Sequence, residues 1–255
     1  MLTIICQTIL SFSNEIAIIP IMILGYIALS HKVFFHGICL LLLSMLLNLS
    51  LKNIFQVPLL EHLGKAGFAF PSGHMQSCVV FYGWLMLNSR SVVVKLLTIL
   101  LLVGVGFSLV YMGYHTYFDI LGAIFFGSIL VLVYMALDDI TKRMVFLLVL
   151  STLILLHING IGMMTAYVWK VYLAIIFTVV GQQLFDKEST TNGVVGKIVG
   201  IFTCFGIVLT IHILLNTSKI TSCLPEFMKQ LEWAMIGFSI PLSARIGSYT
   251  KFQIK

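Results

Sequence analysis

A histidine and an aspartate stand four residues apart in the stretch YMGYHTYFDILGA, residues 111–123. On a helix, residues at this spacing lie on one face. The carboxylate of Asp119 can therefore accept a hydrogen bond from one imidazole nitrogen of His115. The other nitrogen then keeps a lone pair that can attack phosphorus. The pair is compatible with a histidine nucleophile.

A second polar group begins the apolar run FAFPSGHMQSCVVFYGW, residues 68–84. Pro71, Ser72 and Gly73 are typical of a helix start, because Pro is tolerated there, Ser is a good cap and Gly permits close backbone approach. The free amides and the positive end of the helix dipole favour an anion, most often phosphate. The alternative interpretation is a helix start without a ligand, with His74 as an interfacial side chain.

Two further side chains could complete a set for phosphoryl transfer. His74 could donate a proton to the departing oxygen, and Lys52 supplies positive charge for the phosphoryl oxygens. Glu15 is a candidate to close the mouth of the site. Ionisable residues within a membrane are costly and often mark function, but we interpret the isolated His157 and His212 as packing or interfacial residues.

Composition predicts the kind of element that must hold these residues. Of 255 residues, 60% are apolar and 9% are charged, and the mean hydropathy is +1.08. A hydrocarbon core about 30 Å thick needs about 20 helical residues to cross it. Nine apolar runs approach this length: 8–29, 33–51, 72–89, 93–112, 117–137, 143–158, 163–184, 196–216 and 230–247. Because the runs are continuously apolar, we predict an all-α, polytopic transmembrane bundle with about nine spans rather than a barrel.

The 15 Lys and Arg residues predict an orientation, since short cytoplasmic loops are enriched in them. With nine spans and the N-terminus outside, ten basic residues fall on inner segments and five on outer segments. This choice places segments 52–71 and 112–116 on the outer face, periplasmic or luminal, and the C-terminus in the cytoplasm. Most of the net charge of +6 then lies on inner segments, and we interpret it as attraction of these segments to anionic lipid. Nothing in the sequence indicates nucleic-acid binding.

The ordered motifs resemble those of the type-2 phosphatidic acid phosphatase superfamily, whose members include membrane lipid phosphatases and vanadium haloperoxidases. The family pattern is K-x6-R-P, then P-S-G-H, then S-R-x5-H-x3-D. The second motif is intact at residues 71–74, and Lys52 stands in register for the first. Three positions of the third motif are kept: Ser108, His115 and Asp119. The resemblance covers roughly residues 13–137.

The resemblance implies a role for each matching residue. In the family, the histidine matching His115 forms a phosphohistidine, the aspartate matching Asp119 orients it, and the histidine matching His74 protonates the leaving group. Four residues are expected to bind the phosphate: Lys52, Ser72, Gly73 and Ser108. The implied activity is hydrolysis of a lipid phosphate or diphosphate, phosphatidate-like or polyprenyl-type, at the outer face and without a metal or other cofactor.

Two arginines of the family pattern are replaced by Leu59 and Leu109, and the following proline is replaced by Leu60. An arginine offers bidentate, charge-assisted hydrogen bonds to phosphate, and loss of one such donor costs about 3–4 kcal/mol. Lys65 or His62 could supply substitute charge and preserve hydrolysis. Alternatively, the protein is a phosphotransferase acting on a less charged phosphodiester headgroup, like the sphingomyelin synthases, or a non-catalytic binder of lipid phosphates.

The motifs divide the chain into two predicted parts. Residues 1–140 are expected to form the lipid-phosphatase-like core, and residues 141–255 to add transmembrane helices of unknown role, with Pro241 kinking the last. The expected partners are the bilayer and a membrane lipid substrate, and nothing in the sequence supports an oligomer. The five cysteines have neither metal-ligand spacing nor a disulfide framework.

Overall fold

The structure is a computed structural model that describes residues 1–185, 193–216 and 230–249. The described residues form ten α-helices: α1 (Leu2–Ser11), α2 (Glu15–Leu24), α3 (His31–Phe55), α4 (Gly73–Leu87), α5 (Val92–Tyr111), α6 (Tyr117–Met135), α7 (Ile140–Gly160), α8 (Ala166–Phe185), α9 (Val194–Asn216) and α10 (Glu232–Tyr249). A π-helical turn, Gly25–Leu29, continues α2, and a 3₁₀ turn, Glu61–Leu63, lies in the loop after α3. The predicted all-α class of a polytopic membrane protein is confirmed.

The number of helices able to cross a membrane is lower than the nine predicted spans. Within the described ranges, six helices are long and apolar enough: α3, α5, α6, α7, α8 and α9. A seventh span results if α1 and the helix from Glu15 to Leu29, which meet at 46°, count as one bent element. The apolar run at 72–89 forms only the 15 residues of α4, about 22 Å at 1.5 Å per residue, and α10 contains Glu232 and Pro241.

Contacts divide the chain into two compact units. The first comprises Met1–Pro20 and Leu43–Ile161, and the second comprises Ile21–Leu42 and Gly162–Lys255. Both units therefore draw on α3, and α7 belongs to the first. The predicted parts, 1–140 and 141–255, were separated by motif content, and that functional division stays a prediction.

In the first unit, α4 packs against α5 and α6, and α1 packs against α5. Close approach of α4 and α6 depends on Gly127, because a Cβ atom there would lie 3.1 Å from Val79 and 3.4 Å from the Gln76 carbonyl oxygen. The Tyr82 hydroxyl donates a hydrogen bond to the carbonyl of Phe12, at the break between α1 and α2. These contacts hold the three helices that carry the second and third motifs.

In the second unit, α10 packs against α8 and α9. Glu232 forms an ion pair with Lys170 at 2.7 Å and a hydrogen bond with His212 Nδ1 at 3.2 Å. The Tyr26 hydroxyl donates to the side-chain oxygen of Gln182 within this unit. The basic residues at 251–255, on which the predicted cytoplasmic C-terminus partly depends, lie outside the described residues.

Candidate active site

The loop that presents His115 begins with a helix-terminating turn at the end of α5. Gly113 has φ = +70°, a left-handed conformation that glycine adopts without strain. Its amide donates to the Val110 carbonyl, and the amide of Tyr114 donates to the Leu109 carbonyl. This pair of bonds is a Schellman motif. The His115 amide also donates to the Leu109 carbonyl, at 3.3 Å, so the turn places the histidine directly beside the end of α5.

His115 and Asp119 lie in contact on the N-terminal side of α6. His115 Nδ1 is 3.4 Å from Asp119 Oδ2, and both side chains are buried. Asp119 Oδ2 also accepts a hydrogen bond of 2.8 Å from the Thr116 amide, while the Thr116 hydroxyl accepts from the Asp119 amide. This reciprocal capping box holds the carboxylate in place. The sequence predicted this contact from a shared helix face, but His115 precedes α6, whose N-cap is Thr116, so the contact forms across the helix start and the predicted reason is wrong.

The start of α4 is joined to the same corner of α6. Ser72 caps α4, and its hydroxyl accepts from the Met75 amide. The Ser72 amide donates to the Asp119 carbonyl at 3.1 Å. That amide is therefore used within the protein, and a phosphate contact from Ser72 would use its hydroxyl proton instead. Among the described residues, the backbone amides of Gly73 and His74 have no partner at this helix start, so these two amides can bind an anion.

A buried polar network joins α3 to the start of α4. The side-chain nitrogen Nδ2 of Asn48 donates to the Pro71 carbonyl at 3.1 Å and to Gln76 Oε1 at 2.9 Å. Gln76 in turn donates to the backbone and hydroxyl oxygens of Ser44. Sequence reasoning missed these residues as parts of the site. The signal was present, since Ser44 and Asn48 precede Lys52 by eight and four residues and so share a helix face with it.

Charges from the other motifs act on His115. Burial lowers the pKa of the His115 imidazole below its ordinary value, and the nearby Lys52 and His74 act in the same direction. Asp119 opposes them through its negative charge and its hydrogen bond. Lys52 and His74, from the first and second motifs, are thus close enough to His115 to influence its protonation. The net lowering of the pKa favours a neutral imidazole, the form that can attack phosphorus.

Ser108, the first residue of the third motif, is fully buried in α5. Its hydroxyl oxygen has no hydrogen-bond partner in the described part of the chain. A buried hydroxyl without a partner is costly. The predicted role of Ser108 in substrate binding is compatible with this free hydroxyl and stays a prediction.

The residues considered as replacements for the missing arginines occupy the loop after α3. His62 donates its Nε2 proton to the Gly113 carbonyl at 2.9 Å, and so supports the turn before His115. Lys65 is exposed in the same loop. Glu15 is exposed in the first turn of α2, and its predicted place at the mouth of the site stays a prediction.

The two leucines at the arginine positions differ in their surroundings. Leu109 is buried in α5 and its carbonyl accepts the hydrogen bonds of the terminating turn. Leu59 is half-buried, and its amide donates to the Gly67 carbonyl across the loop before α4. Neither apolar side chain can bind phosphate oxygens, so Lys52 and the amides at the start of α4 remain the candidate phosphate donors here.

No group of three His, Cys, Asp or Glu side chains in the described ranges is arranged to hold a metal ion.

His157 lies outside the site. Its Nδ1 atom forms a 3.0 Å hydrogen bond with the Ser50 hydroxyl, and this bond joins α7 to α3.

Comparison with known proteins adds one match. Residues 34–143 match the model of the PAP2 superfamily, a range that contains all three motifs and runs from α3 into α7. No curated protein and no solved structure matches the chain. Lys52, the PSGH start of α4 and the His115–Asp119 pair all lie inside the matched range, so residues 34–143 are similar to the PAP2 superfamily over the part of the chain that carries the motifs.

Proposed function

We propose that this integral membrane protein hydrolyses a lipid phosphate or diphosphate at the outer membrane face through a phosphohistidine on His115. The match of residues 34–143 to the PAP2 superfamily model supports a phosphatase-type, lipid-related function. The observation that carries the finer proposal is the 3.4 Å contact between His115 Nδ1 and Asp119 Oδ2. In the proposed tautomer, Nδ1 carries the proton and donates it to the carboxylate, so Nε2 has a free lone pair.

In the first half of the reaction, His115 Nε2 forms a bond to phosphorus. The bond from phosphorus to the bridging oxygen breaks, and that oxygen takes the bond electrons and a proton from His74. The Nδ1 proton stays between His115 and Asp119, so the carboxylate stabilises the positive charge that the imidazole gains. The lipid alcohol, or the lipid monophosphate if the substrate is a diphosphate, then leaves.

In the second half, water attacks the phosphorus of the phosphohistidine. His74, which is now neutral, takes a proton from the water as the nitrogen–phosphorus bond breaks and its electrons return to His115. Inorganic phosphate is released and both histidines regain their starting protonation states. Only side chains of this chain and one water molecule take part.

Charge on the phosphoryl oxygens is stabilised by fewer cations than in the family pattern. Lys52 lies in the last turn of α3 as the candidate cation, and the Gly73 and His74 amides belong to the first turn of α4. Each preorganised donor of this kind stabilises the charge of the transition state, and its removal lowers the rate substantially in a low-dielectric site. With leucine at 59 and 109, we expect the rate to depend more heavily on Lys52 than it would with arginines present.

Phosphate release from lipid mono- and diphosphates by the purified protein in mixed micelles tests the proposal. We expect the His115→Ala substitution to reduce the rate by about 10³-fold or more, because the nucleophile is lost. His212→Ala is the matched control, since His212 belongs to the second unit and pairs with Glu232. A radiolabelled, acid-labile phosphoenzyme should form in the wild-type protein and be absent after His115→Ala.

Other results would contradict the proposal in distinct ways. Exchange of headgroups between lipids without phosphate release would indicate a phosphotransferase. Tight binding of lipid phosphates with neither reaction would indicate a non-catalytic binder. An activity that survives His115→Ala would exclude the phosphohistidine mechanism.

A further inference from the structure

An apolar groove of about 570 Å³ lies between α4, α5 and α6 in the first unit. Buried side chains such as Met75, Val79 and Val131 line its inner part, whereas Phe107 and Leu132 on its outer part are exposed. Its lining is apolar apart from the hydroxyl groups of Tyr117 and Ser128. Volumes of this size are ordinary for a ligand site.

One end of the groove adjoins the candidate active site. Met75 follows His74 on α4 and donates its amide proton to the Ser72 hydroxyl, while Ile120 follows Asp119 on α6. The groove extends along α4 as far as Leu87, twelve residues beyond Met75, which is about 18 Å along a helix. A molecule with its phosphate beside His115 therefore has an apolar path leading away from the charged group.

From this continuity we propose that the groove holds a single hydrocarbon tail of the lipid phosphate and selects substrates by tail length; the proposal rests on the function proposed above. The bilayer is as apolar as the groove, so transfer of a tail into it gains little from the hydrophobic effect. Discrimination comes instead from packing against a cavity of fixed shape. Tail length is thus expected to change the rate more than any single polar contact outside the phosphate site.

Substitution of Gly83 by a larger residue is expected to shorten the groove. It lines the groove, and a Cβ atom added there would meet no heavy atom within 4 Å. It lies eight residues beyond Met75, about 12 Å along α4. By contrast, a Cβ at Gly106, also in the lining, would contact Ile120 at 3.4 Å. A larger side chain at 83 therefore enters open space in the groove instead of displacing a neighbouring helix.

The experiment compares hydrolysis of octyl phosphate and hexadecyl phosphate by the wild type and Gly83→Leu. We expect the substitution to lower the hexadecyl-to-octyl ratio of kcat/KM by about tenfold, as for a pocket that loses room for part of its ligand. Gly206→Leu is the matched control, because Gly206 is also a helical glycine with no heavy atom within 4 Å of an added Cβ, but belongs to α9. Leu is a better helix former than Gly, so neither change should weaken its helix.

A binding measurement separates this inference from the proposed function. A hexadecyl phosphate with a diazirine at the tail end should crosslink to the α4 segment around Met86 in the wild type and in His115→Ala, but not in Gly83→Leu. Crosslinking there without hydrolysis by the wild type would overturn the proposed function and leave the groove assignment intact. Hydrolysis with an unchanged chain-length ratio in Gly83→Leu, or with crosslinks spread over lipid-facing residues of all helices, would overturn the groove assignment alone.

Discussion

At the scale of single residues, the protonation of His115 should govern how activity depends on pH. Burial, Lys52 and His74 lower its pKa, and Asp119 raises it. Because the neutral imidazole attacks, activity is expected above the His115 pKa and lost as the pH falls through it. We therefore expect the acidic limb of the pH profile of kcat/KM to have its midpoint below the ordinary histidine value of about 6.5.

The influence of Asp119 on His115 also predicts how the Asp119→Asn substitution shifts the acidic limb of the pH profile. Asp119→Asn removes the charge that raises the pKa of His115, so the acidic limb of the residual activity should shift to still lower pH. The measurement is kcat/KM against pH for both proteins at constant ionic strength. A midpoint above neutrality in the wild type, or a shift to higher pH in the variant, would contradict this view of the pair.

At the scale of elements, the site depends on how α3, α4 and α6 are tied together. The Ser72 amide joins α4 to α6 through the Asp119 carbonyl, and Asn48 joins α3 to α4 through Pro71 and Gln76. None of these bonds uses the Gly73 and His74 amides, which are the proposed phosphate donors. Asn48 is therefore a positioning residue and not a catalytic one.

Asn48→Ala should lower both stability and activity. It leaves the Pro71 carbonyl and a buried Gln76 oxygen without their donor, which commonly costs about 1–3 kcal/mol of unfolding free energy. Asn53→Ala is the matched control on the same helix, because the Asn53 side chain bonds only to Leu49 of its own helix in the described contacts. Thermal unfolding in detergent and kcat measure the two effects, and equal losses in both variants would contradict a positioning role for Asn48.

At the scale of the whole molecule, the orientation in the membrane is a prediction from the placement of basic residues. The nine-span prediction counts the 15-residue α4 as one crossing. On that count the loop after α3, which contains the exposed Lys65, lies on the outer face, and the loop after α4, which contains the exposed Arg90, lies inside. Both loops connect described helices, so a cysteine at either position should be accessible to a reagent that reaches its side.

Cysteine labelling in intact cells tests this orientation. Lys65→Cys should react with a membrane-impermeant maleimide added from outside, whereas Arg90→Cys should react only after permeabilisation. The four described native cysteines, Cys6, Cys39, Cys78 and Cys204, are buried, and the unsubstituted protein gives the background. Labelling of Arg90→Cys alone from outside would invert the orientation and move the proposed site to the inner face.

Features that depend on neighbours along the chain were predictable from the sequence. Continuous apolar runs identified the helices because a membrane helix satisfies its own backbone hydrogen bonds. The turn-forming residues of PSGH predicted the start of α4. The four-residue spacing predicted the His115–Asp119 contact, although His115 precedes α6 and the two residues do not share a helix face. Each of these follows from local geometry, in which the chain itself sets the distance between the groups.

Only the tertiary structure decided which groups meet across helices. The Ser72 amide, predicted as a free donor, lies against the Asp119 carbonyl, and His62, considered as a source of charge, supports the Gly113 turn. Among the described helices, α4 has 15 residues and is shorter than those that are long and apolar enough to span a membrane, although its apolar run was counted among the nine predicted spans. Hydropathy measures how apolar a segment is. The partners of buried polar groups and the ends of helices are set by packing between distant parts of the chain, and the spacing of residues along the sequence does not reveal that packing directly.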